Sequence, residues 1–320
     1  SPHLIVDDGF ISLRYARNFA EYNELSFNRN EWIYGFSNPL WILLLGLLFK
    51  IFTNYEVIVV AIQALLFYFS AILIFKIALK YNKDRFIALL PTLLFSSSFF
   101  IQFLIFSGLE SVLLIFLICL AFYLQSFKAL PAAFLIPLCR PDAILWNLGL
   151  ILKEKRKIAF ILVSLAGLLS LAIFGYLIYE SFMPQSAGAK VDPALILSQF
   201  SSTHFIENMK FITKSFFGWH PVLGLPNIFI TLSLLLLFIK SQRLKFSVLL
   251  PFLVIFIVYT LAILSNSYRS VNHSWYHLSF CLLPILFLAH STLKLNRNWI
   301  IGINLLIIIS FGFSLKKMHF

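Results

Sequence analysis

The feature that most restricts this chain is its succession of long apolar runs cut by short basic loops. The runs at 56–79, 86–106, 109–127, 158–179, 222–239, 246–264, 275–290 and 298–314 carry few charges. Each approaches the roughly 20 residues that an α-helix needs to cross the hydrocarbon of a bilayer. Backbone polar groups find no water there, so segments of this kind fold as helices rather than open sheets. The composition agrees: 60% of the 320 residues are hydrophobic and only 12% are charged, whereas soluble domains carry about 25% charged residues. The expected fold class is an all-α polytopic membrane protein built as a single transmembrane domain over 1–320.

Two further apolar stretches are too short or too interrupted for a simple span. "PLWILLLGLLFKIF" (39–52) reads as an interfacial or re-entrant helix. The stretch 129–152 is broken at its centre by "CRPDA", which leaves two arms of about 16 Å each at 1.5 Å per residue. These arms are expected to form a re-entrant pair of half-helices.

The net charge of +12 comes from 25 Lys and Arg against 13 Asp and Glu. A nucleic-acid partner would call for a contiguous basic face with stacking aromatics, and none is present. The basic residues instead cluster in the loops "KYNKDR" (80–85), "KEKRK" (153–157), "KSQRLK" (240–245) and 294–297, as cytoplasmic loops of membrane proteins do. If all four face the cytoplasm and the broken stretch returns to its own side, every helix alternates consistently. Residues 1–55, 106–110, 180–221 and 266–275 then converge on the extracytoplasmic face. A chain whose first segment lies outside also implies one transmembrane helix upstream of Ser1.

Several residues on that face could carry chemistry. "DDGFISLRYARNFAEY" (7–22) has its apolar and basic residues at helical spacing, so it reads as a helix lying in the membrane interface. Asp7 and Asp8 head it, where negative charge suits the backbone dipole. They are either simple capping acids or a general base with a neighbour that orients it. The tract "FNRNEWIYGFSNPLW" (27–41) holds Asn28, Asn30 and Asn38 among aromatics; it suits an interfacial belt or a sugar ring. Glu110 in "SGLES" is a helix-start acid or a site residue. Arg140 and Asp142 fall within the depth of the membrane, where ionisable groups pair with each other or line a pathway. Lys190, Arg269, His273 and His277 are placed to meet an anionic headgroup.

Cys119, Cys139 and Cys281 lie inside apolar runs without metal-ligand spacing and read as small core hydrophobes. His273 and His277, spaced i, i+4, are by themselves a weak metal signal. No metal or other cofactor is expected. Asn272 opens an "NHS" acceptor sequence, which matters only in a glycosylating compartment.

These pieces together resemble the GT-C superfamily of integral-membrane glycosyltransferases, in particular the bacterial branch that includes the terminal arabinofuranosyltransferases. Residues 7–41 resemble that branch's first outer loop, from Asp7-Asp8 through "ISLRYARN" and "FN" to "YGFSNPLW". "SGLES" (107–111), "CRPDA" (139–143) and "PQSAGAK" (184–190) resemble three later motifs, in the same order. The resemblance implies a bundle of about 8–10 transmembrane helices with interfacial helices in the first outer loop. It implies an inverting transfer of a sugar from a polyprenyl-phosphate donor to an acceptor hydroxyl of a cell-envelope glycan, lipid or protein. The base would be Asp7 or Asp8, and Lys190 would meet the donor phosphate. Arg14, Asn38, Glu110, Arg140, Asp142, Arg269 and His277 would complete the substrate and donor site. The location implied is a bacterial cytoplasmic membrane with the site facing outward. The chain departs from the pattern at His277, where related sequences often carry Arg, and at Ala187-Gly188, where aromatics are usual. The rival reading is a transporter or flippase for a lipid-linked or anionic substrate, for which broken helices with buried charges are also suited.

Overall fold

A computed structural model describes residues 5–185, 250–252, 254, 255, 257, 277–290, 298, 301, 302, 304 and 305. The secondary structure of the described residues is helical, with no strand among them. The backbone divides into two compact units. Unit 1 takes in the described residues 5–69 and 104–185, and unit 2 takes in 70–103 with the described residues beyond 249.

Unit 1 begins with α1 (Asp7–Tyr22), the amphipathic helix expected from the sequence. It ends where Asn23 turns left-handed at φ 58° and bonds back to the last turn, a common way of stopping a helix. After a loop, Pro39 starts α2 (Pro39–Phe49); proline fits a first helical position because its missing N–H has no partner there anyway. Gly46 of α2 lets the two helices close up, since a Cβ there would meet the Phe19 ring at 2.5 Å. The 11 residues of α2 span only about 16 Å, so its length matches the expectation of a helix too short to cross.

Among the described residues, two helices are long and apolar enough to cross a membrane: α3 (Tyr55–Tyr81), 27 residues, and α9 (Lys157–Tyr179), 23 residues. At 1.5 Å per residue they reach about 40 and 35 Å, against about 30 Å of hydrocarbon. On α9, Ile158, Leu162, Leu165, Leu169, Ile173 and Leu177 are all exposed. They recur at helical spacing, so one apolar stripe of the helix is left without protein cover. α3 runs on from unit 1 into unit 2.

The expected break near Arg140 is present. α7 (Leu130–Cys139) and α8 (Ile144–Lys153) have ten residues each and are joined by a short 3-10 turn at Pro141–Ala143. Both arms pack on α9. Gly167 of α9 sits against the Phe134 carbonyl of α7. Asn147 of α8, fully buried, donates to the Ala133 carbonyl at 2.8 Å and to Ser164 Oγ at 2.9 Å. Small residues and shared amide bonds are the usual cement between apolar helices.

The run at 86–106 departs from expectation. It is divided into α4 (Arg85–Ser97) and α5 (Phe99–Phe106). Ser98 leaves the helix with φ −67° and ψ 109°. The cause is local: Ser97 Oγ donates to the Leu94 carbonyl at 3.3 Å, and Gln102 Nε2 donates to the Ser96 carbonyl at 2.5 Å. Side chains thus take backbone bonds that a continuous helix would use. The run at 109–127 is also shortened, to α6 (Ser111–Leu124), because Gln125 and Ser126 both adopt positive φ. The runs at 222–239, 246–264 and 298–314 lie wholly or largely outside the described residues.

Unit 2 packs α4 against the helix His277–Ala289. His290, 2% exposed, follows that helix with Nδ1 2.7 Å from the Leu286 carbonyl and its ring beside Tyr81 and Phe252.

The turn that precedes α6 holds unit 1 together. Val6 N donates to the Ser107 carbonyl at 3.2 Å, Trp41 Nε1 to the Gly108 carbonyl at 2.9 Å, and Gln63 Nε2 to the Leu109 carbonyl at 2.6 Å. Three successive carbonyls therefore bind α1, α2 and α3. Gly108 sits at φ +76° against Ile5, with Gly9 of α1 close by, and a side chain at such a φ is strained. Gly108→Ala is expected to cost about 1–3 kcal/mol and to lower the melting temperature of the detergent-solubilised protein. An unchanged melting curve would contradict this account of the turn.

Candidate functional site

The residues singled out in the sequence meet around Glu110. Its carboxylate, 6% exposed, sits at the cap of α6. Arg140 Nη1 donates to Oε1 at 3.1 Å, and Asn38 Nδ2 donates to Oε2 at 2.8 Å. Asn38 Nδ2 also donates to Ser12 Oγ of α1 at 3.0 Å. Arg140 in turn grips Asp142 with two bonds, Nε to Oδ1 at 3.0 Å and Nη2 to Oδ2 at 3.2 Å. Ser12, Asn38, Glu110, Arg140 and Asp142 thus form one chain of hydrogen bonds through four separate segments. Cys139 Sγ contacts the Glu110 carbonyl at 3.6 Å, which adds α7 to the same point.

The chain of bonds fixes the roles of its members. A guanidinium shared between Glu110 and Asp142 is committed to carboxylates and is not an open phosphate-binding cation. Formally it carries one positive charge against two negative ones. Asn38 has both amide hydrogens in use, and its Oδ1, buried, has no hydrogen-bond partner among the described residues. A buried acceptor left open is uncommon in folded proteins and calls for a reason. Here it is a fixed acceptor next to the Glu110 carboxylate.

Asp7 and Asp8 open α1, the helix that also carries Ser12 of this network. Asp8 is exposed, and it lies one turn before Ser12 on the same face of the helix. Gly9 next to it packs on the Ser107–Gly108 backbone, where a Cβ would collide with the Ser107 carbonyl oxygen. The first motif segment and "SGLES" are therefore in backbone contact. Arg14 is placed differently: its Nε donates to the Phe27 carbonyl at 3.1 Å, on the side of α1 away from Asp8 and Ser12. Lys190 and Arg269 lie outside the described residues, as does His273, and His277 opens the helix His277–Ala289 in unit 2.

The aromatic tract divides between interior and surface. Tyr34 and Phe36 are 2% and 4% exposed, whereas Trp32 is 51% exposed. Tyr34 stacks on Tyr179 with centroids 4.9 Å apart and planes 4° off parallel, and Tyr179 donates to the Leu25 carbonyl at 2.6 Å. Burial pushes the Tyr34 phenol up to about 12, so it stays protonated at neutral pH. Trp41 is wholly buried on the Gly108 turn. Tyr34, Phe36 and Trp41 are packing residues; Phe27 and Trp32 keep exposed faces.

Among the described residues, no group of three or more His, Cys, Asp or Glu is placed to hold a metal ion. Comparisons with protein-family models, with curated proteins and with solved structures find no match to this chain. Among the described residues the fold and site comprise helices only, two of them of membrane length, and a buried Asn–Glu–Arg network joined to the helix that the paired acids open.

Arg140→Met removes the only guanidinium that the network places on Glu110 and leaves a buried carboxylate uncompensated. The expected cost is about 3 kcal/mol, toward the lower end for a broken buried pair. Adding Glu110→Gln to Arg140→Met is expected to recover part of it, read by denaturant unfolding in detergent. A double variant less stable than Arg140→Met alone would contradict the pairing.

Proposed function

We propose that this chain is a polytopic membrane glycosyltransferase. It transfers a sugar from a polyprenyl-phosphate donor to an acceptor hydroxyl on the extracytoplasmic face. The observation that carries the reading is the convergence of 7–22, Asn38, 107–111 and 139–143 on one hydrogen-bonded network. These are the segments whose motifs resemble the GT-C branch, and sequence separation alone gives no reason for them to meet. The exposed apolar stripe of α9 and the length of α3 support the membrane setting.

The step follows from the groups present. Asp8 or Asp7 takes the proton of the acceptor hydroxyl as its oxygen attacks the anomeric carbon. The bond from that carbon to the phosphate oxygen breaks, and the lipid phosphate leaves with the electron pair. A phosphate of this kind departs readily once cations stabilise its growing charge. Arg140 is engaged by two carboxylates, so Lys190 and Arg269 are assigned that task. Glu110 and Asn38 position the α1 end through Ser12, an arrangement that contributes through orientation. The sugar-phosphate lipid is a substrate, and no cofactor enters the scheme.

A transporter remains the second reading, because a helix broken at a charged pair is also a way to build a substrate path. The two differ in whether a glycosidic bond forms. The test is transfer of labelled sugar from a polyprenyl-phosphate donor by the purified protein. Asp8→Asn or Asp7→Asn is expected to lose about 10²–10⁴-fold in rate with the melting curve retained. Full activity in both single variants and in the double variant would remove the assigned base; movement of intact donor without transfer would favour the transporter.

A further inference from the structure

A second site lies on the opposite side of α1 from Asp8. A cleft of about 590 Å³ is lined by α1, the end of α2, the start of α3 and Phe27. At 3.6 residues per turn, Phe10, Arg14 and Arg17 fall on the face of α1 turned away from Asp8 and Ser12. Its apolar wall includes Phe10, Leu13 and Phe49, and Phe10 and Phe27 are 36% and 40% exposed.

Both arginines are held by Nε. Arg14 Nε donates to the Phe27 carbonyl at 3.1 Å, and Arg17 Nε donates to Glu21 Oε1 at 2.7 Å. Tyr55 Oη donates to the same Glu21 oxygen at 3.1 Å, which buttresses Arg17 from behind. Each guanidinium lies 5.9 Å from an aromatic centroid, Arg14 at Phe27 and Arg17 at Tyr55. The terminal amino groups of both arginines have no hydrogen-bond partner among the described residues. Fixed guanidinium ends of this kind suit phosphate oxygens. Glu56 of the lining and Glu21 behind Arg17 balance the two cations, so the pull on a phosphate comes from the open guanidinium ends and not from a net charge.

We infer that this cleft holds the phosphodiester headgroup of a membrane glycerophospholipid. The inference rests on the reading of α3 as a membrane span, because Tyr55 and Glu56 open that helix and so lie at its headgroup level. The apolar wall would take the first part of an acyl chain, and the arginines the phosphate. The sugar-phosphate donor is also a phosphodiester, but a lipid seated here has α1 between its phosphate and Asp8. The cleft is therefore assigned to a resident phospholipid that fastens α1 to the bilayer.

The test is native mass spectrometry of the full chain in detergent, titrated with phosphatidylglycerol, with a diacylglycerol of the same chains, and with a polyprenyl-phosphate sugar. Wild type is expected to retain phosphatidylglycerol over diacylglycerol, and Arg14→Gln/Arg17→Gln to weaken that retention about tenfold or more. Arg29→Gln, the loss of one positive charge outside the cleft, should leave it unaltered. Glu56→Gln should retain phosphatidylglycerol at least as well as wild type, a direction that misfolding does not produce. Equal retention of the two glycerolipids by wild type would overturn the site. So would weakening by Arg29→Gln or Glu56→Gln, or a loss in the double variant confined to the sugar-phosphate lipid. Release of the protein from membranes by alkaline carbonate without detergent would instead defeat the membrane reading itself.

Discussion

The turn Ser107–Glu110 is the constraint on which unit 1 depends. Its first three carbonyls receive Val6, Trp41 and Gln63, and the carboxylate of its fourth residue receives Asn38 and Arg140. One short segment therefore satisfies donors from α1, α2, α3 and the break after α7. Glycine accommodates without strain the φ of +76° found at this turn. In apolar surroundings an unmade bond at such a point is costly, so the donors and acceptors have to be placed together.

That geometry assigns work to charges that sequence position alone leaves open. Arg140 bridges two carboxylates, and through Glu110 it is coupled to Asn38 and to Ser12 on α1. The network is then a positioning device rather than an anion site. Cations able to meet a lipid phosphate are found elsewhere in the chain, on the far side of α1 at Arg14 and Arg17 and, under the proposed function, at Lys190 and Arg269. The segment bearing the paired acids is held by backbone contact through Gly9, so it is a fixed element one turn before Ser12 of the network. Reaction geometry is best maintained on such supports.

Much of this was legible in the sequence where length and periodicity carry the signal. The helices at 55–81 and 157–179 follow from uninterrupted apolar runs, and α1 follows from its spacing. The break at Arg140 follows from Pro141 and two charges inside an apolar stretch. The break at Ser98 was not legible as such, because three serines in an apolar run mark no fixed stop; the outcome rests on bonds made by Ser97 and Gln102. Glu110 gave only the signal of a helix-start acid, since neither partner is near it in the chain: Asn38 and Arg140 are 72 and 30 residues away. The aromatic tract hid a division between buried and exposed rings, which depends on the stacking of Tyr34 on Tyr179. No local pattern announces a contact of that range.

Asn38 and Arg140 act on each other through the shared Glu110 carboxylate. A double-mutant cycle over Asn38→Leu and Arg140→Met, read by denaturant unfolding of the protein in detergent, measures that coupling directly. Groups in one hydrogen-bond network are expected to depart from additivity by about 0.5–3 kcal/mol, and a coupling of at least about 1 kcal/mol is predicted here. Stability losses that add within about 0.5 kcal/mol would contradict the account, because the two segments would then not share a partner.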